Sequence, residues 1–547
     1  MVAVVGCGSA STSAMAPTTT PGVASGQSSL DTSTTIPQGG TLNVYINEPV
    51  SIDPVDLEES EGIQVGQALF NSLAAFDYKT MKVEPAAASS WDVNADATVW
   101  TFHLVKGATF QDGTPVTASD FIYAWNRLCN PVNKSNVSYY LAAVEGYDAM
   151  QSGKATELTG LKALDDYTLQ VTLSYPFADF DYVVATPTLA PVPQADVERD
   201  PKAFAEAPIG NGPFEMVGSW QHDQEIQVKR YPGYYGKKPN IDGIDFKIFK
   251  DPETALLEFK AGDLDFTQIP TGQAKATEAE YGVSADGLTA NPGKQTLLGP
   301  DLSIYYLVCN TNDSLMRNPD LRKAISLAIN RQAICDTLFE GTRAPATSII
   351  PPGIVGYNAG AFPYSHYDVA AAKDELAKAG YPNGEGLPTI ALSCNSGADQ
   401  EDVMALVQAD LKAIGVNVKT EFSDMATYLS NLDAGTFQIG RLGWQADYPI
   451  IDDFIYSLFD SKSGDNMSKY SNPAVDGAIT AARKITDPNQ RVAAYQAIVN
   501  TVGEDSALIP IMAYQHDAVT SDRVVNLIYS PNDLLDFTDC YIKAGAQ

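Results

Sequence analysis

Leu42, Val44 and Ile46 alternate with more polar neighbours near the start of the apolar patterning, the period-two signature of a half-buried strand. Trp100, Phe102 and Leu104 repeat the pattern and predict a second strand. That strand leads through Lys106–Phe110 into the turn Gln111-Asp-Gly-Thr-Pro115, where Asp-Gly supplies a positive-φ position and Pro115 fixes the exit. Thr117-Ala-Ser-Asp120 reads as a helix start of capping-box type, with Asp in place of Glu. Phe121, Trp125 and Leu128 follow at helical spacing, and Pro131 stops the helix.

The C-terminal half alternates helix and strand. Leu321, Ile325 and Ile329 stripe one helix after Asn318-Pro319. Val403, Leu406, Val407 and Ile414 stripe another that ends at Gly415, and Val416 and Val418 then alternate as a strand. Asp368 to Ala379, closed by Gly380, has the start and stop signals of a third helix. No repeat of fixed period is present. The pattern predicts an α/β protein of more than one lobe, as a length of 547 residues also requires.

From Gly8 to about Gly40 the chain is almost wholly Ser, Thr, Gly, Ala and Pro, a composition that cannot offset its own ordering entropy. Residues 8–40 are therefore expected to form a flexible tether. Val4-Val-Gly-Cys7 resembles a bacterial lipobox, in which two apolar residues and a small one precede a lipid-modified cysteine. Residues 1–7 read as a truncated signal peptide, because a full signal carries a basic region and a longer apolar run. Cys7 is thus the expected lipidation site.

The formal net charge of −32, from 67 acidic and 35 basic side chains, repels phosphate backbones and argues against a nucleic-acid partner. No uncharged apolar run reaches the length of a transmembrane helix. The six cysteines contain no CxxC pair and the four histidines are isolated, so neither a metal nor a redox cofactor is expected. Walker, dinucleotide, nucleophile-elbow and zinc-helix motifs are absent. Nothing marks the chain as an enzyme.

Trp100 to Phe121, Ile209-Gly-Asn-Gly-Pro-Phe214, Tyr231–Tyr235, Asn318–Arg331 and Gly443-Trp-Gln-Ala-Asp-Tyr-Pro449 follow one another along the chain. This ordered set resembles the family 5 extracellular solute-binding proteins, which include oligopeptide- and dipeptide-binding receptors. The resemblance implies a periplasmic-binding-protein type, two-lobed hinge fold with an extra third domain. Domain I would comprise 41–60, 201–302 and 515–547, domain II (the extra one) 61–200, and domain III 303–514, with crossings near 302 and 515 as the hinge. It further implies a monomeric, lipid-anchored binding component of an ABC transporter, held at the extracytoplasmic face of the cell membrane. Such a component captures oligopeptides by closing its cleft and delivers them to a permease and ATPase complex.

In oligopeptide-binding relatives the strand matching Arg441–Tyr448 lines the cleft and its aspartate takes the ligand's α-ammonium. Asp447 occupies that position, with local backbone capping as its alternative role. Trp444 either walls a side-chain pocket or packs in the core, and Arg441 matches an arginine that meets a peptide carboxylate. Gln445 lies in the same lining segment, where enteric relatives carry a half-cystine. Glu48-Pro-Val50-Ser matches a second segment that pairs with ligand backbone, so Glu48 and Val50 join the expected site. Other carboxylate-binding positions depart from the pattern around Phe339, Gln400 and Leu432. Trp100 and Trp125 are expected in the core, and Asn211-Gly212 in a tight turn. Cys309 and Cys394, each on a predicted strand, are the candidates for a disulfide. Other solutes of the family (metal chelates, haem, oligosaccharides), a peptide-sensing lipoprotein and a lipid-anchored hydrolase remain open.

Overall fold

The computed structural model describes residues 36–270, 272–396 and 400–543. Cys7 and nearly all of the tether lie outside them.

An eleven-stranded mixed sheet runs through the protein. Two long strands, Thr296–Cys309 and Leu508–Thr520, lie side by side in its middle. On one flank follow Ile439–Gln445, Ile390–Asn395 and Val418–Ser423. On the other are Phe266–Gln268, Thr41–Ile46, Gly243–Ile248, Glu225–Arg230 and Phe214–Met216. A short strand, Arg343–Pro345, pairs with the second long strand. The lobes therefore share their central strands. Ile304, Tyr306 and Val308 enter one hydrophobic core, and Tyr305, Leu307 and Cys309 enter another, as expected for strands covered on both faces.

The two long strands pair Pro300 with Gln515 and then slip register before Ile304 meets Ala513. An extra residue or two on one strand bends it and breaks the ladder locally. This irregularity lies close in sequence to the crossings near 302 and 515 that the resemblance implies.

Trp100 and Phe102 are buried in the strand Val99–Leu104, which belongs to a separate four-stranded antiparallel sheet spanning residues 88–172. The turn after it has Gly113 at φ +87, and the Asp112 carboxylate accepts from the Thr114 amide at 2.8 Å. Asp120 accepts from the backbone N–H of Thr117 at 2.8 Å and from its hydroxyl at 2.7 Å, starting the helix Ala118–Cys129. Trp125 is fully buried in that helix, and its indole donates to the Leu189 carbonyl at 2.9 Å.

The expected helix–strand unit at the C-terminal side is present. Helix Gln400–Ala413 leads into Val418–Ser423, parallel to Ile390–Asn395. Helix Pro319–Ala328 stops one residue before Ile329, which caps it. Asp368 caps the helix Val369–Lys378 through the Ala371 amide.

Two expectations need correction. Cys309 and Cys394 are buried free thiols, and the strand Ile439–Gln445 runs between their two strands. Two inter-strand spacings come to about 9.5 Å, beyond the reach of a disulfide. Asn211 does more than turn the chain. Its side chain is buried, accepts from the Asn71 amide at 2.8 Å and donates to the Asn71 carbonyl at 2.9 Å. A Cβ on Gly210 or Gly212 would strike the Leu69 backbone, so both glycines permit this close splice.

Candidate ligand-binding site

Along Ile439–Gln445, Leu442 and Trp444 pack against one core. Alternation then sends Arg441, Gly443 and Gln445 to the opposite face. The chain leaves the strand at Ala446, and Gln445 and Asp447 reach a cavity of about 390 Å³. Its other walls come from Glu58–Glu61, Tyr139, Tyr140 and the segment Ala185–Pro187. These belong to sequence regions far apart, brought together where the two halves of the chain face each other.

Asp447 opens to this cavity, and its Oδ1 accepts from the Tyr139 hydroxyl at 3.3 Å. No cation lies within ion-pair distance of it among the described residues. The surrounding walls thin its hydration, and this partial desolvation pushes its pKa up to about 6. Behind it lies Asp453, only 1% exposed. Asp453 Oδ2 accepts from the Trp444 indole at 2.8 Å and from the Asp447 amide at 3.3 Å. Its Oδ1 has no hydrogen-bond partner among the described residues. Burial, reinforced by the Asp447 charge, drives the Asp453 pKa well above the usual carboxylate range. The neighbouring acid Asp452 is instead matched by Arg483 at 2.7 Å.

The expected site residues separate into groups. Asp447 and Gln445 share the cavity. Trp444 is half-buried against the core and orients Asp453, so its polar edge supports the site from behind. Arg441 lies farther along the strand, stacked over Tyr305 at 4.5 Å. Among the described residues its guanidinium makes only long bonds, 3.4 Å each, to Asn395 and the Tyr514 hydroxyl. It has no carboxylate within ion-pair distance among the described residues, which leaves it able to receive one.

Glu48 points elsewhere: its carboxylate meets His222 at 2.8 Å and the Asp223 amide at 2.9 Å. Val50 is 70% exposed, but its amide already donates to Glu59 Oε1 at 2.9 Å. An arriving ligand strand would find the Val50 donor occupied. The sequence reading missed Tyr139, Glu59 and Asp453. The Glu58-Glu-Ser-Glu61 run was a signal in plain view, whereas the other two positions are set by tertiary contacts.

Residues 82–466 match the model of the bacterial extracellular solute-binding proteins, family 5 Middle. This chain belongs to the family 5 solute-binding proteins. It is 32% identical over 513 residues to the periplasmic oligopeptide-binding protein OppA of Escherichia coli K12, covering 90% of each chain. Among solved structures it resembles the unliganded open form of the periplasmic murein tripeptide binding protein MppA. That match has a TM-score of 0.83 at 26% identity, covering 93% of this chain and 98% of the other. Haemophilus influenzae OppA in complex with the peptide RPPGFSPFR is also similar, with a TM-score of 0.66 at 28% identity, covering 92% and 99%. The family's α/β, two-lobed binding-protein fold is thereby established for this chain. No helix among the described residues is long and apolar enough to cross a membrane.

Proposed function

We propose that this family 5 protein captures oligopeptides in the cavity at Asp447 and delivers them to an ATP-driven membrane importer. The observation carrying the reading is the Asp447 carboxylate, open to the cavity, partly desolvated by its walls and without a cation in ion-pair range among the described residues. Closure of the cleft over this carboxylate would bury a charge that then needs an opposite one, and a free peptide amino terminus supplies it. The similarity to oligopeptide-binding OppA supports the same ligand class. Arg441, also without an acidic partner among the described residues, suits the ligand's other end.

Capture would proceed by closure of domains I and III about the crossings near 302 and 515, with domain II, residues 61–200, forming part of the wall. Ligand that touches both lobes only when they shut pulls the equilibrium toward the closed state. The broken register between Pro300 and Ile304 gives the central strands a place to bend. The better overlay on an open, unliganded relative than on a peptide complex supports reading this structure as the open state. In the closed state the Val50 segment and the 441–447 strand would sandwich an extended peptide, whose main chain adds affinity independent of sequence. Glu59 would then have to release the Val50 amide, or the peptide would use the Val50 carbonyl.

The receptor would act as a monomer on the extracytoplasmic side, anchored through lipid on Cys7. Mass spectrometry of small molecules released from protein purified from its native host tests the ligand class. Recovery of intact peptides is expected, and consistent recovery of a non-peptide solute would overturn the reading. Fractionation of the Cys7→Ser protein tests the anchor. It should leave the membrane fraction, and undiminished attachment would refute lipidation there.

A further inference from the structure

Asp447 owes its place to very few bonds. Among the described residues its main chain makes a single hydrogen bond, from its amide to Asp453 Oδ2 at 3.3 Å. The same oxygen accepts from the Trp444 indole at 2.8 Å. One carboxyl oxygen thus ties the end of the strand Ile439–Gln445 to Asp447. Asp453 itself stands in the first turn of the helix Ile451–Phe459, which buries Phe454, Ile455 and Leu458. The support behind Asp447 is therefore anchored in the core.

The surroundings of Asp453 decide its charge. It is 1% exposed, and among the described residues it has no ion-pair partner and its Oδ1 no hydrogen bond. The titratable groups facing it are Asp447, Asp452 with its partner Arg483, and the phenols of Tyr140 and Tyr448. Arg483 is committed to Asp452 at 2.7 Å, burial keeps both phenols neutral, and Asp447 is a like charge. A helix start favours an anion, but by less than it costs to strip an unpaired carboxylate of water. A neutral carboxyl keeps Oδ2 as acceptor for both N–H groups and carries its proton on Oδ1.

We infer that Asp453 is a positioning residue for recognition of the ligand's ammonium. As a neutral acid it holds the Asp447 main chain and the Trp444 indole together, and so aims the Asp447 carboxylate at the ligand without touching the ligand itself. Its neutrality leaves Asp447 as the one negative charge of the pair, matched to one ammonium. This role rests on the peptide reading, and names the residue that sets the geometry of its amino-terminal contact.

Calorimetric titration of the full-length receptor with a tripeptide and its N-acetylated form tests it, in the parent, Asp453→Leu and Asp453→Asn proteins. Leucine keeps the bulk and removes the acceptor, whereas asparagine reproduces a neutral carboxyl. The parent should prefer the free amine by about tenfold or more. Asp453→Leu should lose most of that preference and Asp453→Asn should restore most of it. A leucine variant that weakens both peptides alike would reduce Asp453 to a structural role and overturn the inference. Failure of asparagine to restore the preference would overturn it too. Carboxyl carbon NMR, with the Asp453 signal assigned by its loss in Asp453→Asn, should show a protonated carboxyl at pH 7. An ionised one would refute the neutral acid, and this reading holds even if the leucine variant does not fold. A parent that binds both peptides alike would overturn the ammonium reading itself, and the positioning role with it.

Discussion

The Tyr139 hydroxyl reaches the Asp447 carboxylate at 3.3 Å, from 308 residues away in sequence. A donor on a carboxylate favours its charged form, so Tyr139 opposes the desolvation that lifts Asp447 to about 6. Tyr139→Phe keeps the ring and removes the donor. The Asp447 pKa should rise further, by up to about one unit, as read by carboxyl carbon NMR titration. A fall in the pKa would contradict the assignment.

The raised pKa also sets a pH dependence. An unfolded aspartate titrates near about 3.9, so as pH falls the folded, ligand-free protein takes up this proton first. Stability contributed by Asp447 therefore rises as pH drops through about 6 toward about 4. Ammonium binding needs the ionised form and should weaken over the same window, approaching about tenfold per pH unit below about 6. Calorimetry with a neutral tripeptide at pH 7 and pH 5 checks this. Affinity that stays flat would mean Asp447 does not hold the ligand's charge.

Trp444 holds Asp453 from behind. Trp444→Phe keeps much of the apolar packing and leaves Asp453 Oδ2 with only the long bond from Asp447. A buried acceptor stripped of its best donor costs about 1–3 kcal/mol. Urea unfolding should register that loss, while a variant as stable as the parent would show that the indole bond contributes little.

Much of the frame was legible because local chemistry dictates it. The Asp-Gly turn, the Thr117–Asp120 helix start and the Val99–Leu104 alternation each fold according to residues within a few positions. Asp447 was singled out only through resemblance, since one carboxylate among 67 acidic residues carries no local mark. Tyr139 and Asp453 were illegible because their roles arise from contacts between distant segments. The Cys309–Cys394 pairing failed for a related reason: strand identity was readable, but strand order was not. Nothing local announces that Ile439–Gln445 inserts between them.

Asp179 and Arg491 are another such long-range pair. Arg491 Nε donates to Asp179 at 2.7 Å, and the Tyr495 hydroxyl adds a bond at 2.8 Å, all buried. The pair ties the segment beside the cavity wall to the helix Pro488–Asp505. Arg491→Met strands a buried acid and should cost about 3–5 kcal/mol. Asp179→Asn/Arg491→Met, which removes both charges, should recover part of it. A loss in the double variant equal to the sum of the Asp179→Asn and Arg491→Met losses would show that the charges do not interact.

The most direct test of the central claim is a double cycle on Asp447 and the ligand's amino group. A tripeptide and its N-acetylated form are titrated calorimetrically against the parent and the Asp447→Asn receptor. Removing one partner of a desolvated pair typically costs about 2–5 kcal/mol. Either single change should therefore weaken binding at least tenfold, about 1.4 kcal/mol, and the double change should cost much less than the sum of the two. Strictly additive losses would contradict the account, because they would mean that Asp447 and the peptide ammonium never meet.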